Sequence, residues 1–340
     1  MEADIGIVGA GSWGIALAHL LSCNGHKVTV WSRSEDSVAK LRAYRGNEDK
    51  LPGVKLDESV EFTSDLERTV RAKDIIVLVV PSAHMRETVR RIKPFIDEDS
   101  EHQQIIVNCS KGIEEESLMV MSDVILDEIP GCHVCVLSGP SHAEEVGKGM
   151  PTTIVVGAFE KDIAKYVQNI FMNDFFRVYI SPDMLGIEIG AALKNVVALA
   201  AGIADGYGCG DNAKAALITR GITEIARLGM AMGGKFETFS GLSGIGDLIV
   251  TCASMHSRNR RAGILIGQGK SYQEAMDEVK MVVEGVYSAK AALKLAEKYE
   301  VEMPIIKAVN DILFEGKSPK EAVKDLMLRD KKIENSMLEW

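Results

Sequence analysis

Three glycines near the N-terminus have the spacing of a nucleotide-binding loop. They stand in Gly9-Ala-Gly11-Ser-Trp-Gly14, directly after the apolar run 5–8 and before residues 15–21, which have a helical pattern. In such a strand–turn–helix, the first glycine makes the turn, the second lets the backbone approach a pyrophosphate, and the third lets the helix pack on the strand. The helix N-terminus then faces the anion. The sequence therefore predicts a dinucleotide site, and a glycine-rich turn without a ligand is the alternative.

The residues after the second apolar run favour a phosphorylated ribose. Run 28–31 is followed by Ser32, Arg33 and Ser34, where an NAD site usually places an acidic residue for the ribose 2′-hydroxyl. A guanidinium instead suits a 2′-phosphate through charge-assisted hydrogen bonds. We therefore predict NADP(H) as the preferred cofactor. Glu35 lies close enough to keep NAD open as the second choice, and a solvated loop cation is the alternative for Arg33.

A lysine interrupts the most apolar stretch of the chain. Lys194 and its neighbour Asn195 are the only strongly polar residues between 189 and 204. Burying an unpaired ammonium is costly, so Lys194 must lose its proton, pair with a carboxylate or face a cleft. A lysine with a lowered pKa exchanges protons near neutral pH. The alternative is a lysine that snorkels from the polar side of an amphipathic helix.

Two further clusters have residue types that suit a site. Residues 241–247 read Gly-Leu-Ser-Gly-Ile-Gly-Asp, and the glycines indicate a tight turn or close backbone approach leading to Asp247. Residues 257–261 read Ser-Arg-Asn-Arg-Arg, which suits a phosphate. The chain has 39 basic and 49 acidic residues, a net charge of −10. A basic cluster in so acidic a chain favours an anion site over a solvated basic turn.

The order of elements predicts how these residues are positioned. Apolar β-like runs at 4–8, 27–31, 74–80, 104–109, 133–137 and 152–156 alternate with amphipathic segments such as 35–44, 83–92 and 117–128. Such alternation implies a mostly parallel sheet with helices on both faces. From about Pro182 only helical patterns remain, including 275–279, 288–299 and 304–314. We predict an α/β protein with an N-terminal Rossmann-like, doubly wound sheet in 1–181 and an all-α domain in 182–340, ending in a loose tail from 331.

Composition limits the class of protein. With 340 residues, 46% hydrophobic and 26% charged, the chain is typical of a globular protein, and its acidity argues against nucleic-acid binding. We expect no signal peptide and no membrane span, because 189–204 is short and contains Lys194. Cys132 and Cys135 lie in an apolar run without a second ligand pair, so buried thiols are favoured over a metal or redox site. A reducing, cytoplasmic location fits.

Six blocks, taken together and in order, resemble the bacterial-type NAD(P)-dependent glycerol-3-phosphate dehydrogenases. They are residues 9–14, 108–114, 137–146, 192–196, 241–247 and 257–259. Cys109-Ser110 and His142 depart from the residues most frequent in the family, without removing a functional position. The resemblance implies reduction of dihydroxyacetone phosphate to sn-glycerol 3-phosphate, the precursor of glycerophospholipids.

The resemblance also implies roles for individual residues. Lys194 matches the proton donor and acceptor, Asp247 the carboxylate beside it, and Lys111 a contact of both substrate and cofactor. The implied substrate contacts are Lys111, Gly139, Ser141, Lys194, Asn195, Asp247, Thr251, Ser257, Arg258 and Asn259. The cofactor contacts, including the glycines of the loop, are Gly9, Gly11, Ser12, Trp13, Gly14, Arg33, Lys111, Ala143, Arg258, Val282 and Glu284. No metal is expected, because the lysine polarises the carbonyl.

Two other functions remain open at this point. Another dehydrogenase of the β-hydroxyacid or 6-phosphogluconate type would share the two-part plan and a lysine, but not the 257–259 block together with the Ser-Gly-Pro-Ser loop at 138–141. A nucleotide-sensing protein without turnover would have no need for Lys194 and Asp247. The apolar helices of the second half are compatible with a homodimer, although the core of a monomer gives the same pattern.

Replacing Arg33 tests the predicted cofactor preference. We expect Arg33→Ala to weaken NADPH binding about tenfold or more, because a charge-assisted hydrogen bond to the 2′-phosphate is lost, and to leave NADH almost unaffected. The measurement is the ratio of KM values for the two cofactors. An unchanged ratio would mean that another residue holds the 2′-phosphate.

Overall fold

Eight strands form one sheet at the centre of the N-terminal half. The computed structural model describes residues 2–97, 104–331 and 333–334. Along the sheet the strands lie in the order β3-β2-β1-β4-β5-β6-β7-β8, and every neighbouring pair is parallel except β6 and β7. The strands are β1 (Asp4–Val8), β2 (Lys27–Trp31), β3 (Glu61–Thr63), β4 (Ile75–Leu78), β5 (Ile105–Asn108), β6 (His133–Ser138), β7 (Thr152–Ala158) and β8 (Phe176–Ser181).

Helices cover both faces of this sheet. They are α1 (Ser12–Cys23), α2 (Glu35–Tyr44), α3 (Leu66–Val70), α4 (Met85–Ile92), α5 (Met121–Glu128), α6 (Ala143–Val146) and α7 (Lys161–Phe171). Alternate residues of β4 show the two faces. Ile75 and Val77 belong to one apolar cluster, and Ile76 and Leu78 to another. A strand that is buried on both faces needs a continuous apolar run, and such runs predicted the strands from the sequence.

The C-terminal half is built around one long helix. That helix is α8 (Met184–Tyr207), and it packs against most of the helices that follow it along the chain. The remaining helices are α9 (Asp211–Ala231), α10 (Phe236–Phe239), α11 (Asp247–Ala253), α12 (Arg258–Gly267), α13 (Tyr272–Val279), α14 (Glu284–Lys298), α15 (Pro304–Phe314) and α16 (Pro319–Met327), with a one-turn π-helix at Leu242–Gly246. Among the described residues, α8 is the one helix long and apolar enough to span a membrane, and its most apolar window is entirely buried inside the protein.

Helices α8 and α12 cross in close backbone contact. Each carries two glycines four residues apart, Gly202 and Gly206 on α8 and Gly263 and Gly267 on α12. A Cβ on any of the four would overlap a carbonyl oxygen of the other helix. Because these four glycines have no side chain, the two backbones can approach each other. This close contact fixes the N-terminus of α12 relative to the middle of α8.

The predicted fold class is confirmed, with differences at the level of single elements. All six predicted runs contain strands, and α2 and α15 have the predicted limits. The sequence analysis missed β3, which has three residues, and β8, an edge strand that buries only part of its surface. Helix α5 begins at Met121 and not at 117, because Leu118 has a positive φ and Val120 pairs with Ile113.

Two other expectations have a different status. Strand β8 ends at Ser181 and α8 begins at Met184, but Met184 and Ile187 of α8 pack in a core cluster of the sheet. The boundary between 1–181 and 182–340 therefore stays a prediction. The loose tail predicted for 331–340 lies mostly outside the described residues, which end at 334.

Substituting one glycine tests the crossing of α8 and α12. We expect Gly263→Ala to lower the free energy of unfolding by about 1–3 kcal/mol, because the new methyl group meets the carbonyl of Leu199 and the backbone of Gly202. Gly210→Ala is the matched control, since no atom lies within 4 Å of its added Cβ. Urea unfolding of both variants gives the comparison, and equal losses would contradict the close packing.

Candidate active site

One large cleft separates the sheet from the helical half. Its volume is about 1640 Å³, and residues of both halves line it. Of the residues proposed from the sequence, those on the wall of the cleft are Gly9, Gly11, Ser12, Trp13, Arg33, Lys111, Ser141, Ala143, Lys194, Asn195, Thr251, Ser257, Arg258, Asn259, Val282 and Glu284. Gly14, Gly139 and Asp247 lie behind this wall. The fold therefore brings residues from distant parts of the sequence to a single cavity.

The loop after β1 has the geometry that a pyrophosphate needs. Gly9 has a φ of +126°, which a residue with a side chain rarely adopts, and a Cβ there would meet the carbonyl oxygen of Val79 at 2.5 Å. Gly14 packs against the backbone of Gly9, whereas nothing lies within 4 Å of a Cβ placed on Gly11. Gly11 is also the N-cap of α1, with no side chain capping the helix. The open helix N-terminus and the space above Gly11 fit the phosphates of a dinucleotide.

Arg33, in the loop after β2, lies on the wall of the cleft. Its side chain is exposed and has no hydrogen bond or ion pair within residues 2–97, 104–331 and 333–334. The neighbouring serines are already engaged, because Ser34 accepts a hydrogen bond from the backbone of Ser37 and Ser32 bonds to the Ser37 hydroxyl. Glu35 accepts a hydrogen bond from Ser64. Arg33 is therefore the group of this loop that remains available to an anion.

Lys194 and Asp247 form a buried ion pair. Lys194 Nζ lies 2.5 Å from Asp247 Oδ1 and also donates to Thr251 Oγ1 at 2.7 Å. Lys194 comes from the middle of α8, and Asp247 is the first residue of α11, directly after the π-helix. Only 5% of Lys194 and 2% of Asp247 is exposed. Lys194 in the apolar helix therefore has a carboxylate partner, Asp247, as the sequence analysis allowed.

Asp247 also binds a second ammonium. Lys111, in the loop after β5, places Nζ 2.7 Å from Asp247 Oδ2, so the two lysines occupy the two oxygens of one carboxylate. Lys111 Nζ further donates to the carbonyl oxygen of Gly139 at 3.4 Å, and the Ser141 hydroxyl donates to the same oxygen at 3.0 Å. The lysine from the sheet half is thereby joined to the lysine from the helical half.

The pKa values in this cluster move as burial and charge dictate. Burial lowers the pKa of Lys194 to about 7, with Lys111 adding to the decrease and Asp247 opposing it. Burial alone would raise the pKa of Asp247, but the ammonium groups of Lys111 and Lys194 hold it below its ordinary value. An acid with a pKa near neutrality beside a stable carboxylate is the arrangement that general acid–base chemistry requires.

The start of α12 offers a cation to the cleft. Arg258 is its first residue and makes no hydrogen bond or ion pair with any described residue, while burial lowers its pKa. Ser257 and Asn259 are engaged differently. The Ser257 hydroxyl caps α12, and the Asn259 amide donates to Asn195 Oδ1 and accepts from the Gly285 backbone, both at 2.9 Å. Arg258 thus has no partner among the described residues, and Asn259 connects α8, α12 and α14.

The remaining predicted residues lie around the cofactor half of the cleft. Glu284, the first residue of α14, accepts hydrogen bonds from the Ser82 hydroxyl at 2.6 Å and from the Ser82 backbone at 3.3 Å. Burial raises the pKa of Glu284. Val282 lies on the same wall, and Ala143 is the first residue of α6 on the opposite side. Glu284 therefore joins the two halves at the edge of the cleft.

Sequence reasoning missed several polar residues near the site. His142 and His256 face one another across the cleft, with ring centroids 5.8 Å apart. Glu188 and Asn108 form a buried hydrogen bond behind Lys111. The signal for Glu188 was present, because it is a carboxylate one residue before the apolar stretch 189–204 that contains Lys194.

Cys135 is buried in β6, and no metal-binding group of three or more His, Cys, Asp or Glu occurs in the part of the chain that the structure describes.

Fold and site together define a class of protein. An open dinucleotide loop on a parallel sheet faces, across one cleft, a buried lysine that can exchange a proton near neutral pH. This arrangement is that of a nicotinamide-dependent oxidoreductase.

Comparison with known proteins identifies the family. Residues 4–164 match the family described as NAD-dependent glycerol-3-phosphate dehydrogenase N-terminus, and residues 183–324 match its C-terminus. A glycerol-3-phosphate dehydrogenase [NAD(P)+] of Agathobacter rectalis is 60% identical over 99% of both chains, and one of Fusobacterium nucleatum is 59% identical over 97% of this chain and 98% of the relative. A crystal structure of glycerol-3-phosphate dehydrogenase from Coxiella burnetii superposes with a TM-score of 0.92 at 38% identity, covering 96% of this chain and 99% of the other. The chain belongs to the NAD-dependent glycerol-3-phosphate dehydrogenase family.

Membership confirms the expected oxidoreductase and its cofactor, NAD(P). The function is the reversible reduction of dihydroxyacetone phosphate to glycerol 3-phosphate, a reaction of lipid metabolism, and the substrate is a small molecule. The alternative reading as a β-hydroxyacid or 6-phosphogluconate type is thereby set aside. The roles of individual residues stay predictions.

The low pKa of Lys194 predicts opposite pH dependence in the two directions of the reaction. With Lys194 as the proton donor, ketone reduction needs the protonated lysine, so its kcat/KM should fall about tenfold per pH unit above pH 7. Alcohol oxidation needs the neutral amine, so its kcat/KM should rise as the pH approaches 7 and level off above it. Initial rates in both directions from pH 5 to about pH 9 measure this. Parallel profiles in the two directions would contradict it, and Lys194→Ala serves as the control that removes the titrating group.

Proposed function

We propose that this cleft reduces dihydroxyacetone phosphate with Lys194 as the proton donor and with Arg258 as the ligand of the substrate phosphate. The observation that carries the proposal is the buried contact of Lys194 Nζ with Asp247 Oδ1 at 2.5 Å on the wall of a cleft that also contains the unpaired Arg258. One charged group thus has proton-transfer chemistry, and the other has anion-binding capacity.

Lys194 acts on the oxygen of the substrate carbonyl. When bound, the nicotinamide cofactor supplies the hydride to the carbonyl carbon, and negative charge develops on the oxygen. Lys194 stabilises that charge and donates its proton, and its hydrogen bonds to Asp247 and Thr251 fix the direction of the ammonium. General acid catalysis by a positioned group is worth about 10²–10⁴ in rate.

Asp247 and Lys111 prepare Lys194 for this step. Asp247 keeps the ammonium populated despite burial, while the second cation at Lys111 limits how strongly the carboxylate can hold the proton. Lys111 also lies beside the carbonyl of Gly139 and near Ser141, in the loop that we assign to the substrate. Burial, together with the two lysines on one carboxylate, therefore gives Lys194 a pKa suited to proton transfer at neutral pH.

Arg258 holds the phosphate of the substrate. Its guanidinium stands at the start of α12 and makes no hydrogen bond or ion pair with any described residue. The carboxylates of Glu284 and Glu144 act on it through their charge without forming an ion pair. Binding energy at the phosphate becomes orientation at the reacting carbon. Asn195, Ser257 and Asn259 support this end of the site by holding α8, α12 and α14 together.

The glycine loop and its neighbours would hold the cofactor. Gly9, Gly11, Ser12, Trp13 and Gly14, at the start of α1, would bind its pyrophosphate, and Ala143, Val282 and Glu284 line the same cavity. Arg33 would bind the 2′-phosphate, which favours NADP(H) over NAD(H).

We also propose that the chain works in the cytoplasm as a homodimer without a membrane span. The cysteines within the described residues are all free thiols, which suits a reducing compartment. Helix α8 uses its apolar surface inside the core, so it has none left for lipid. Exposed Met230 and Phe236 in the helical half offer apolar surface to a second subunit. Light scattering on the purified protein measures the number of subunits.

Two substitutions test the proposed roles of Lys194 as proton donor and of Arg258 as phosphate ligand. We expect Lys194→Ala to lower kcat for ketone reduction about 10²–10⁴-fold with little change in cofactor affinity, because the proton donor is lost. We expect Arg258→Ala to raise KM for dihydroxyacetone phosphate about 10–100-fold while NADPH binding changes less, because a charge-assisted contact is lost. NADPH absorbance and cofactor titration give these quantities.

The matched control is Arg260→Ala, on the same helix. Arg260 lies outside the cleft and pairs with Asp205 at 2.8 Å, so its loss should leave KM for the phosphorylated ketone unchanged. With unphosphorylated dihydroxyacetone, Arg258→Ala should match the wild type. Near-wild-type kcat in Lys194→Ala would remove Lys194 from the chemistry, and a larger effect of Arg258→Ala on NADPH than on the ketone would reassign Arg258 to the cofactor.

A further inference from the structure

A carboxylate without an assigned role is buried behind the two lysines. Glu188 lies on α8, six residues before Lys194, and only 3% of it is exposed. Its Oε1 accepts hydrogen bonds from Asn108 Nδ2 at 2.9 Å and from the backbone N–H of Ser122 at 3.0 Å, and its Oε2 accepts from the Ser122 hydroxyl. Glu188 therefore joins α8 to the end of β5 and to the start of α5.

The partner Asn108 organises the loop that carries Lys111. Asn108 Oδ1 accepts from the backbone N–H of Ser110 at 2.9 Å, and its amide also donates to the Ser110 carbonyl at 3.2 Å. The Ser110 hydroxyl in turn donates to the carbonyl of Val80 at 2.6 Å. Lys111 follows directly and reaches Asp247. A continuous series of hydrogen bonds thus runs from Glu188 to the residue that precedes Lys111.

We propose that Glu188 is a positioning residue for Lys111, so that helix α8 sets the place of both lysines on Asp247. Lys194 is held by its own position on α8. Lys111 is held indirectly, because Glu188 orients the Asn108 amide and the amide fixes the turn at Ser110. The inference rests on the proposed roles of Lys111, Lys194 and Asp247.

The cost of burial argues for a specific use of this carboxylate. Burial raises the pKa of Glu188 to about 7, while its three donors, from Asn108 and from the Ser122 backbone and hydroxyl, act in the opposite direction. The nearby Asp123 raises the pKa further. An apolar residue would avoid this cost, but it would leave the Asn108 amide and the Ser122 backbone N–H without their acceptor.

Loss of this link has a signature that a general loss of stability does not have. Lys111 lowers the pKa of Lys194, and it shares the Asp247 carboxylate with Lys194. If Lys111 moves away, the repulsion between the two ammonium groups decreases, and Asp247 pairs with Lys194 alone. Both changes raise the pKa of Lys194, so the alkaline fall in ketone reduction moves to higher pH.

Four variants of the whole chain test the proposal. Glu188→Ala should lower kcat about tenfold and shift the alkaline limb upward, in the same direction as Lys111→Met. Glu188→Gln should restore near-wild-type kcat and pH profile, because its amide still accepts from Asn108 and can donate to the Ser122 hydroxyl. The matched control is Glu224→Ala, which removes another carboxylate that is 3% exposed and that caps the start of α15. It should lower the melting temperature without moving the limb.

The outcomes separate this inference from the proposed function. A wild-type alkaline limb in Glu188→Ala, or an equal shift in Glu224→Ala, would overturn the positioning role. If Glu188→Ala does not fold, Asn108→Ser breaks the same series one step later and must show the same upward shift. A wild type with no alkaline limb, together with an active Lys194→Ala, would overturn the proposed function itself, whatever the Glu188 variants show.

Discussion

One carboxylate shared by two ammonium groups is the interaction on which the site depends. Asp247 binds Lys194 through one oxygen and Lys111 through the other, at 2.5 and 2.7 Å, in a place that water hardly reaches. Two cations and one anion leave an excess positive charge there, and burial prevents water from screening it. Burial, with the charge of Lys111 adding to it, lowers the pKa of Lys194 to about 7, and the excess positive charge can stabilise negative charge on a reacting oxygen. The geometry is useful only if both halves of the protein hold their lysine in place.

Helix α8 meets this requirement through its glycines as well as through the ion pair of Lys194 with Asp247. Gly202 and Gly206 let α12 approach, and Gly190 lets α8 lie against the π-helix that leads to Asp247, since a Cβ there would come within 2.8 Å of the Ser243 carbonyl. Glycine inside a helix reduces intrinsic helix stability. The long buried surface of α8 offsets that loss, and the result is a fixed distance between Lys194, Asp247 and the start of α12.

How much the sequence could predict follows from the range of the interactions involved. The parallel strands and α2 were predictable because their signals are local, and the lysine in an apolar stretch indicated a partner or a cleft. The partner itself was not predictable from the residues alone, because Lys194 and Asp247 are 53 positions apart. The edge strand β8 and the Asn108–Glu188 bond were missed for the same reason, since each depends on a tertiary neighbour. The available guanidinium of Arg258 and the engaged amide of Asn259 look alike in sequence and differ only in their contacts.

The net charge of −10 describes the surface and conceals the site. Arg33 and Arg258 lie on the wall of the cleft without a partner among the described residues, and Lys111 and Lys194 share a single carboxylate. Elsewhere on the described surface, basic side chains such as Arg86 are bound by several carboxylates at once. Field lines from the unpaired cations are concentrated in a cavity with low-dielectric walls, while the acidic exterior repels anions from other surfaces. A protein that is acidic on average can thus select phosphorylated anions at one place, because the fold decides which cations are left unpaired.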